Sequence, residues 1–173
     1  MKILVDADSC PRPARSLVLR SAARNSLTAH FAANRPIPGI NGENAAMEVC
    51  AAEEGSADDR IVELARPGDL VLTRDIPLAA RLVEASVMVI DDRGRVYTRE
   101  NIRERLSLRN FIVGLAESGI ERERNANYGK RELKAFADSF DRVLSRLLRA
   151  ERQGGEQNAQ GGKSACGETG VNP

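Results

Sequence analysis

Three short apolar runs, each ending at an acid, constrain the fold of this chain more than any other feature. Ile3-Leu4-Val5 leads into Asp6-Ala7-Asp8, Leu70 to Thr73 leads to Asp75, and Val87 to Ile90 leads into Asp91 and Asp92. A compact apolar run bounded by turn signals reads as a buried strand, and here such runs alternate with segments of helical periodicity. That alternation implies a parallel sheet covered on both faces by right-handed crossovers. In such sheets sites gather beyond the carboxyl ends of the strands, near the topological switch point. The acids therefore fall where a site is expected.

In chain order, Lys2 to Asp6 is the first strand. Asp8 or Ser9 is placed to cap the next helix, and Pro11 or Pro13 suits its first turn, where a missing N–H costs nothing. Leu17, Val18, Ala22 and Ala23 recur on its inner side. Leu27 to Ala33 reads as a second strand, the Pro/Gly/Asn cluster through Asn44 as a loop, and Met47 to Ala51 as a weaker edge strand. Ser56 caps a helix to about Ala65, with Asp58 and Asp59 in its favourable first turn. A helix follows the Leu70 to Thr73 strand with Pro77 near its start, and Arg95-Val96-Tyr97 is a short extension after the Val87 to Ile90 strand. Thr98 caps a helix to about Glu117 with Ile102, Leu106, Phe111, Ile112 and Leu115 inward. Glu121 to Lys130 is a charged loop, and Arg131 to about Ala150 is a final amphipathic helix. From Gln153 onward periodicity vanishes, so the expected division is an α/β domain over 1–150 and a disordered tail over 151–173.

At 173 residues the chain has room for one sizeable core. A net charge of +1 argues neither for nor against a polyanionic partner, so that argument has to be local. Aromatics are 3% of residues and Trp is absent, which leaves few stacking platforms for bases. Cys10, Cys50 and Cys166 show no C-x-x-C spacing, which favours reduced thiols in a cytoplasm over a disulfide framework or a zinc site. Asp6 arrives before an apolar signal region could form, and no apolar run approaches the roughly 20 residues that span a bilayer. The expectation is a cytoplasmic protein with no membrane partner. The apolar stripe of the final helix serves either the sheet or a second copy, so a homodimer stays open.

Carboxylates converging without His or Cys partners suit a hard ion, Mg²⁺ or Mn²⁺, and without one they repel each other. Asp6 is the firmest such candidate, because a carboxylate ending a buried strand is costly unless paired. Asp8 and Asp75 come next, then Asp58. Capping and turn formation are the plain alternatives for each of these acids, and for Asp59, Asp91 and Asp92 as well. Cys10, near a helix start, is either a nucleophile or a small buried hydrophobe, and His30, the single histidine, offers it no obvious pairing. Arg74 lies at the same edge, and Arg103, Arg105, Arg109, Arg122, Arg124, Lys130 and Arg131 form a basic region. That region either steers a phosphate backbone or is a solvated helix face.

Taken together, Val5-Asp6-Ala7-Asp8-Ser9-Cys10-Pro11, Ala33-Asn34-Arg35-Pro36, Ala57-Asp58-Asp59, Gly68 to Ala79, Arg93-Gly94, Tyr97 to Ile102 and Arg109 resemble the YaiI/YqxD family of uncharacterised bacterial proteins, from Met1 to about Arg149. The resemblance implies a three-layer PIN-like (Rossmann-like) α/β fold with a mainly parallel sheet of about five strands and helices on both faces. Its relatives include Mg²⁺- or Mn²⁺-dependent ribonucleases. Carried over by position, Asp6, Asp8, Asp58 and Asp75 are the acidic cluster, and Asn34 and Thr73 assist polar binding. Two positions depart from the family: Gly55 stands where an Asp is frequent, and Asp92 stands where a Pro precedes Arg-Gly.

The leading expectation is a metal-dependent nuclease acting on RNA. Asp6, Asp8, Asp75 and Asp58 would hold the ions, and Asn34, Thr73, Arg74 and Arg109 would contact substrate. The alternatives are a PIN-like module that binds RNA or protein without cutting, and a phosphatase using Asp6 as nucleophile and Asp8 as acid.

Overall fold

The computed structural model describes residues 1–117 and 128–161. Its strands are β1 (Ile3–Asp6), β2 (Ala29–Ala33), β3 (Ala45–Val49), β4 (Leu70–Leu72), β5 (Met88–Ile90) and β6 (Val96–Tyr97). The helices are α1 (Arg12–Arg24), α2 (Ser56–Leu64), α3 (Ile76–Glu84), α4 (Arg99–Glu117) and α5 (Lys130–Gly161). The six strands form one sheet in the order β3-β2-β1-β4-β5-β6. All neighbours are parallel except β5 and β6, which pair antiparallel through Val89–Tyr97 and Ile90–Val96. The short extension at Arg95-Val96-Tyr97 is thus a sixth strand.

The strands are apolar on both sides because both faces are covered. On one face Ile3, Val5, Phe31, Leu70, Leu72 and Ile90 pack with Ala14, Val18 and Ala22 of α1 and Phe136, Phe140, Val143 and Leu144 of α5. On the other, Leu4, Ala32, Val71 and Val89 meet Ile61 of α2, Leu78, Ala79, Leu82 and Val83 of α3, and Ile102 of α4. Successive residues of β1 serve opposite layers, as the two-residue period of a strand requires. The chain leaves β1 toward β2 and β3 on one side, then returns through α2 to β4 on the other. That reversal makes the junction of β1 and β4 the switch point, with a crevice at its carboxyl end.

Several expected boundaries move. Neither Asp8 nor Ser9 caps α1: Pro11 occupies the cap position without a side-chain bond, and Arg15 Nη1 instead donates to the carbonyls of Ala7 (3.0 Å) and Cys10 (2.7 Å). The guanidinium thus satisfies two carbonyls of the loop between β1 and α1. Gly55, with φ of +83°, caps α2 in place of Ser56, whose hydroxyl is drawn away to the carbonyl of Ala51. Phe111 is not inward but 64% exposed, while Ile102 is the α4 residue buried in the layer with α3. The final helix does not stop at Ala150 but continues to Gly161. Glu151, on that extension, pairs with the amino group of Met1, which gives the extra turns an anchor on the domain. The rest of the expected tail, 162–173, and most of the charged loop lie outside the described residues.

The hairpin turn between β5 and β6 is pressed against α5. Gly94 has φ of +85°, and a Cβ built there would lie 2.5 Å from the carbonyl oxygen of Ala135. Only glycine meets both demands.

Candidate active site

β1 ends in Asp6 at the switch point, and its carboxylate is only 5% exposed. Three donors satisfy it. Thr73 Oγ1 donates to Oδ2 at 2.8 Å, Ser9 Oγ donates to the same oxygen at 2.6 Å, and Ser9 N donates to Oδ1 at 3.3 Å. Thr73 follows β4 directly, so one hydroxyl ties the ends of the two central strands together. The same Oγ1 accepts a bond from the backbone N–H of Asp75 at 3.0 Å, which fixes the start of α3. Ser9 Oγ also accepts from the backbone N–H of Arg74 at 3.4 Å. Sequence reading did not single out Ser9 for this role; its position three residues after a strand-ending Asp was the available signal.

Asp75 is the N-cap of α3, and its Oδ1 accepts from Leu78 N at 2.7 Å. The plain capping role is therefore real, and it coexists with a position at the crevice. Asp58 lies in the first turn of α2, in the same layer as α3, where it feels the charges of Asp75 and Asp6. Burial pushes its pKa up to about 6, the negative charges of Asp75 and Asp6 push in the same direction, and Arg81 opposes them. A carboxylate in a helix's first turn is ordinarily stabilised by the dipole. Here the desolvation and the two neighbouring carboxylates outweigh that gain.

Asp8 does not join these three. Its Oδ2 accepts from Asn34 N at 2.8 Å and its Oδ1 lies 3.5 Å from Arg35 Nε, so the side chain turns toward the end of β2. Asn34 is a positioning residue: its Nδ2 donates to the carbonyl of Glu53 and its Oδ1 accepts from Ser56 Oγ, which binds the end of β2 to the start of α2. Among the described residues, no three His, Cys, Asp or Glu side chains stand together as a ready ion-binding group. The physical reason lies in the bonds just named, which hold Asp6, Asp8 and Asp75 each to a different partner.

Arg74 reaches across the crevice to Asp92, Nε to Oδ1 at 3.2 Å. Asp92 is almost fully buried, its second oxygen has no hydrogen-bond partner, and burial raises its pKa against the pull of Arg74. Asp91 is a turn residue, as its plain reading held: Oδ1 accepts from the N–H groups of Arg93 and Arg95. Cys10 is buried and packed in the α1 and α5 layer. Burial pushes its thiol up to about 12 despite Arg15, which leaves it protonated and matches the small buried hydrophobe rather than a nucleophile. Arg109 lies away from the acids, exposed on α4.

A cavity of about 510 Å³ opens at this edge, lined by Ser9, Arg74, Asp75, Asp92 and Arg95 among others. A larger one of about 640 Å³ lies along α5 between Val96 and Gln153, away from the crevice and without a carboxylate in its wall.

Residues 4–146 match the family described as Uncharacterized BCR, YaiI/YqxD family. Over 166 residues the chain is 47% identical to a UPF0178 protein of Treponema pallidum, covering 96% of this chain and 92% of the relative. It is 42% identical over 151 residues to a UPF0178 protein of Myxococcus xanthus, covering 87% of this chain and 99% of the relative. No solved structure matches it.

Proposed function

The chain belongs to the YaiI/YqxD family, and on that premise we propose that it hydrolyses phosphodiesters, with RNA as the substrate class and a PIN-like site served by Mg²⁺ or Mn²⁺. One observation carries the reading. Asp58, half-buried in the first turn of α2, lies close enough to Asp75 and Asp6 for their charges to add to the burial that raises its pKa to about 6. Such crowding is unfavourable unless something positive enters the space.

Asp6, Asp58 and Asp75 are the residues that would hold the ion, while Asp8 is engaged by Asn34 and Arg35. A divalent ion bound there supplies compensation for phosphate charge and activation of water for in-line attack. The chain's own groups supply the rest. Thr73 and Ser9 fix the Asp6 carboxylate in one orientation. The first turns of α2 and α3 aim partial positive charge at the same edge, which favours a phosphate. Arg74 is held at the rim by Asp92 and can face substrate through its remaining donors.

A purely binding role is the second reading, favoured by the separate hydrogen-bond partners of Asp6, Asp8 and Asp75. Mn²⁺ binding followed by electron paramagnetic resonance, together with cleavage of a labelled RNA, decides between them. The nuclease reading predicts that Asp6→Asn and Asp58→Asn each lose Mn²⁺ binding and cleavage together. Unchanged cleavage in both variants would refute it, and RNA binding by the native protein without Mn²⁺ binding or turnover would establish the second.

A further inference from the structure

Beyond the carboxylate edge the surface continues as a cleft. The cavity beside Arg74 and Asp75 shares Ile76 and Arg95 with a second cavity of about 310 Å³, formed against α4 by Arg105, Leu108, Arg109 and Ile112. The lining of the second cavity contains three arginines and no acid. In the first, the acids have internal partners: Asp92 pairs with Arg74, Asp75 caps α3, and Asp91 accepts two backbone N–H groups. Among the described residues, neither Arg95, Arg105 nor Arg109 forms an ion pair. Arg95, just before β6, and Arg105 of α4 both line this second cavity.

A solvated helix face explains this poorly. Such a face intersperses charges of both signs along an outer stripe, whereas these guanidinium groups come from the turn before β6 and from α4 and line one recess. Apolar side chains lie between them, and Leu108 is half exposed. Planar guanidinium forks match phosphate oxygens in pairs. Apolar side chains between them can meet sugars and base faces without reading sequence.

We propose that this cleft, running from Arg74 past Arg95 to Arg105 and Arg109, is the track for a single-stranded nucleic acid that delivers its phosphodiester to the Asp6 crevice. The inference rests on the phosphodiesterase reading for its direction, because the acids mark which end of the track is reactive. Both cavities are of the size that encloses a small ligand, and Asp6 is recessed, so a strand with splayed bases fits where a rigid duplex cannot descend.

The test is fluorescence anisotropy of the full chain with a labelled single-stranded RNA 12-mer, in EDTA, so that neither metal nor cleavage enters the readout. The triple variant Arg95→Ala/Arg105→Ala/Arg109→Ala should bind at least about tenfold more weakly, and its log–log salt slope should be shallower by about 2, from about 0.7 per lost phosphate contact. Arg12→Ala/Arg20→Ala, on α1, should bind like the native protein. A duplex of the same sequence should bind more weakly than the single strand. Native affinity and salt slope in the triple variant would overturn the assignment, as would preference for the duplex. Absence of RNA binding together with loss of self-association in the triple variant would overturn it in favour of a protein interface. Because these readings are taken without metal, they succeed or fail separately from the Mn²⁺ and cleavage tests of Asp6→Asn and Asp58→Asn.

Discussion

Asp58→Asn should make the metal-free protein more stable at neutral pH, which is unusual for a substitution at a site residue. The Asp58 pKa of about 6 stands above the ordinary 3.8, raised first by burial and then by Asp75 and Asp6. The folded state thus holds the proton more tightly than the unfolded chain. By linkage, the stabilisation from that proton is fully present below about pH 4 and is lost as pH rises through about 6. A fully shielded shift of this size corresponds to about 3 kcal/mol. Asp58 is only half-buried, and solvent screening reduces the figure to about 1 kcal/mol. Asparagine keeps the shape and removes the charge, so the variant should gain about 1 kcal/mol near pH 7 and nothing near pH 4. Urea denaturation in EDTA across that range reads both numbers. Parallel stability profiles for the two proteins would show that Asp58 does not share a crowded crevice. The same substitution should remove any stabilisation that added Mn²⁺ gives the native protein at neutral pH.

Other perturbations probe the supports of the crevice. Thr73→Val removes the hydroxyl shared by Asp6 and Asp75 and should cost about 2 kcal/mol in urea denaturation, while Thr73→Ser should cost much less. Arg74→Met strands the buried carboxylate of Asp92 and should destabilise by about 2 kcal/mol, discounted because Arg74 is partly exposed. Asp92→Asn in that background should recover most of the loss, and a neutral single variant would show the pair to be unimportant. Gly94→Ala should lower stability by about 2 kcal/mol or more by calorimetry, since it meets both a left-handed backbone and the carbonyl of Ala135.

The sheet was legible because β1, β4 and β5 are short apolar runs that only a two-sided burial accommodates. The antiparallel β6 was visible only as an extension, since two residues carry no period; its identity comes from pairing with β5. Phe111 was misplaced for a related reason. Its spacing from Ile102 and Leu106 fits one helical stripe, but a stripe says nothing about where the neighbouring layer ends. The acids of the site were legible by position and not by role, because capping and ligation draw on the same residue types at the same strand ends. Asp75 shows why these roles do not exclude each other: the bond from Leu78 occupies one oxygen and leaves the other. Asp6 is the sharper case. Its hydroxyl donors, Thr73 and Ser9, belong to segments 67 and 3 residues away, and only the β1–β4 pairing brings the distant one into reach. A carboxylate used only to cap would need a local donor. One bound across the switch point needs the whole sheet, and so it marks the place in this fold where sequence-distant groups are brought together around a negative charge.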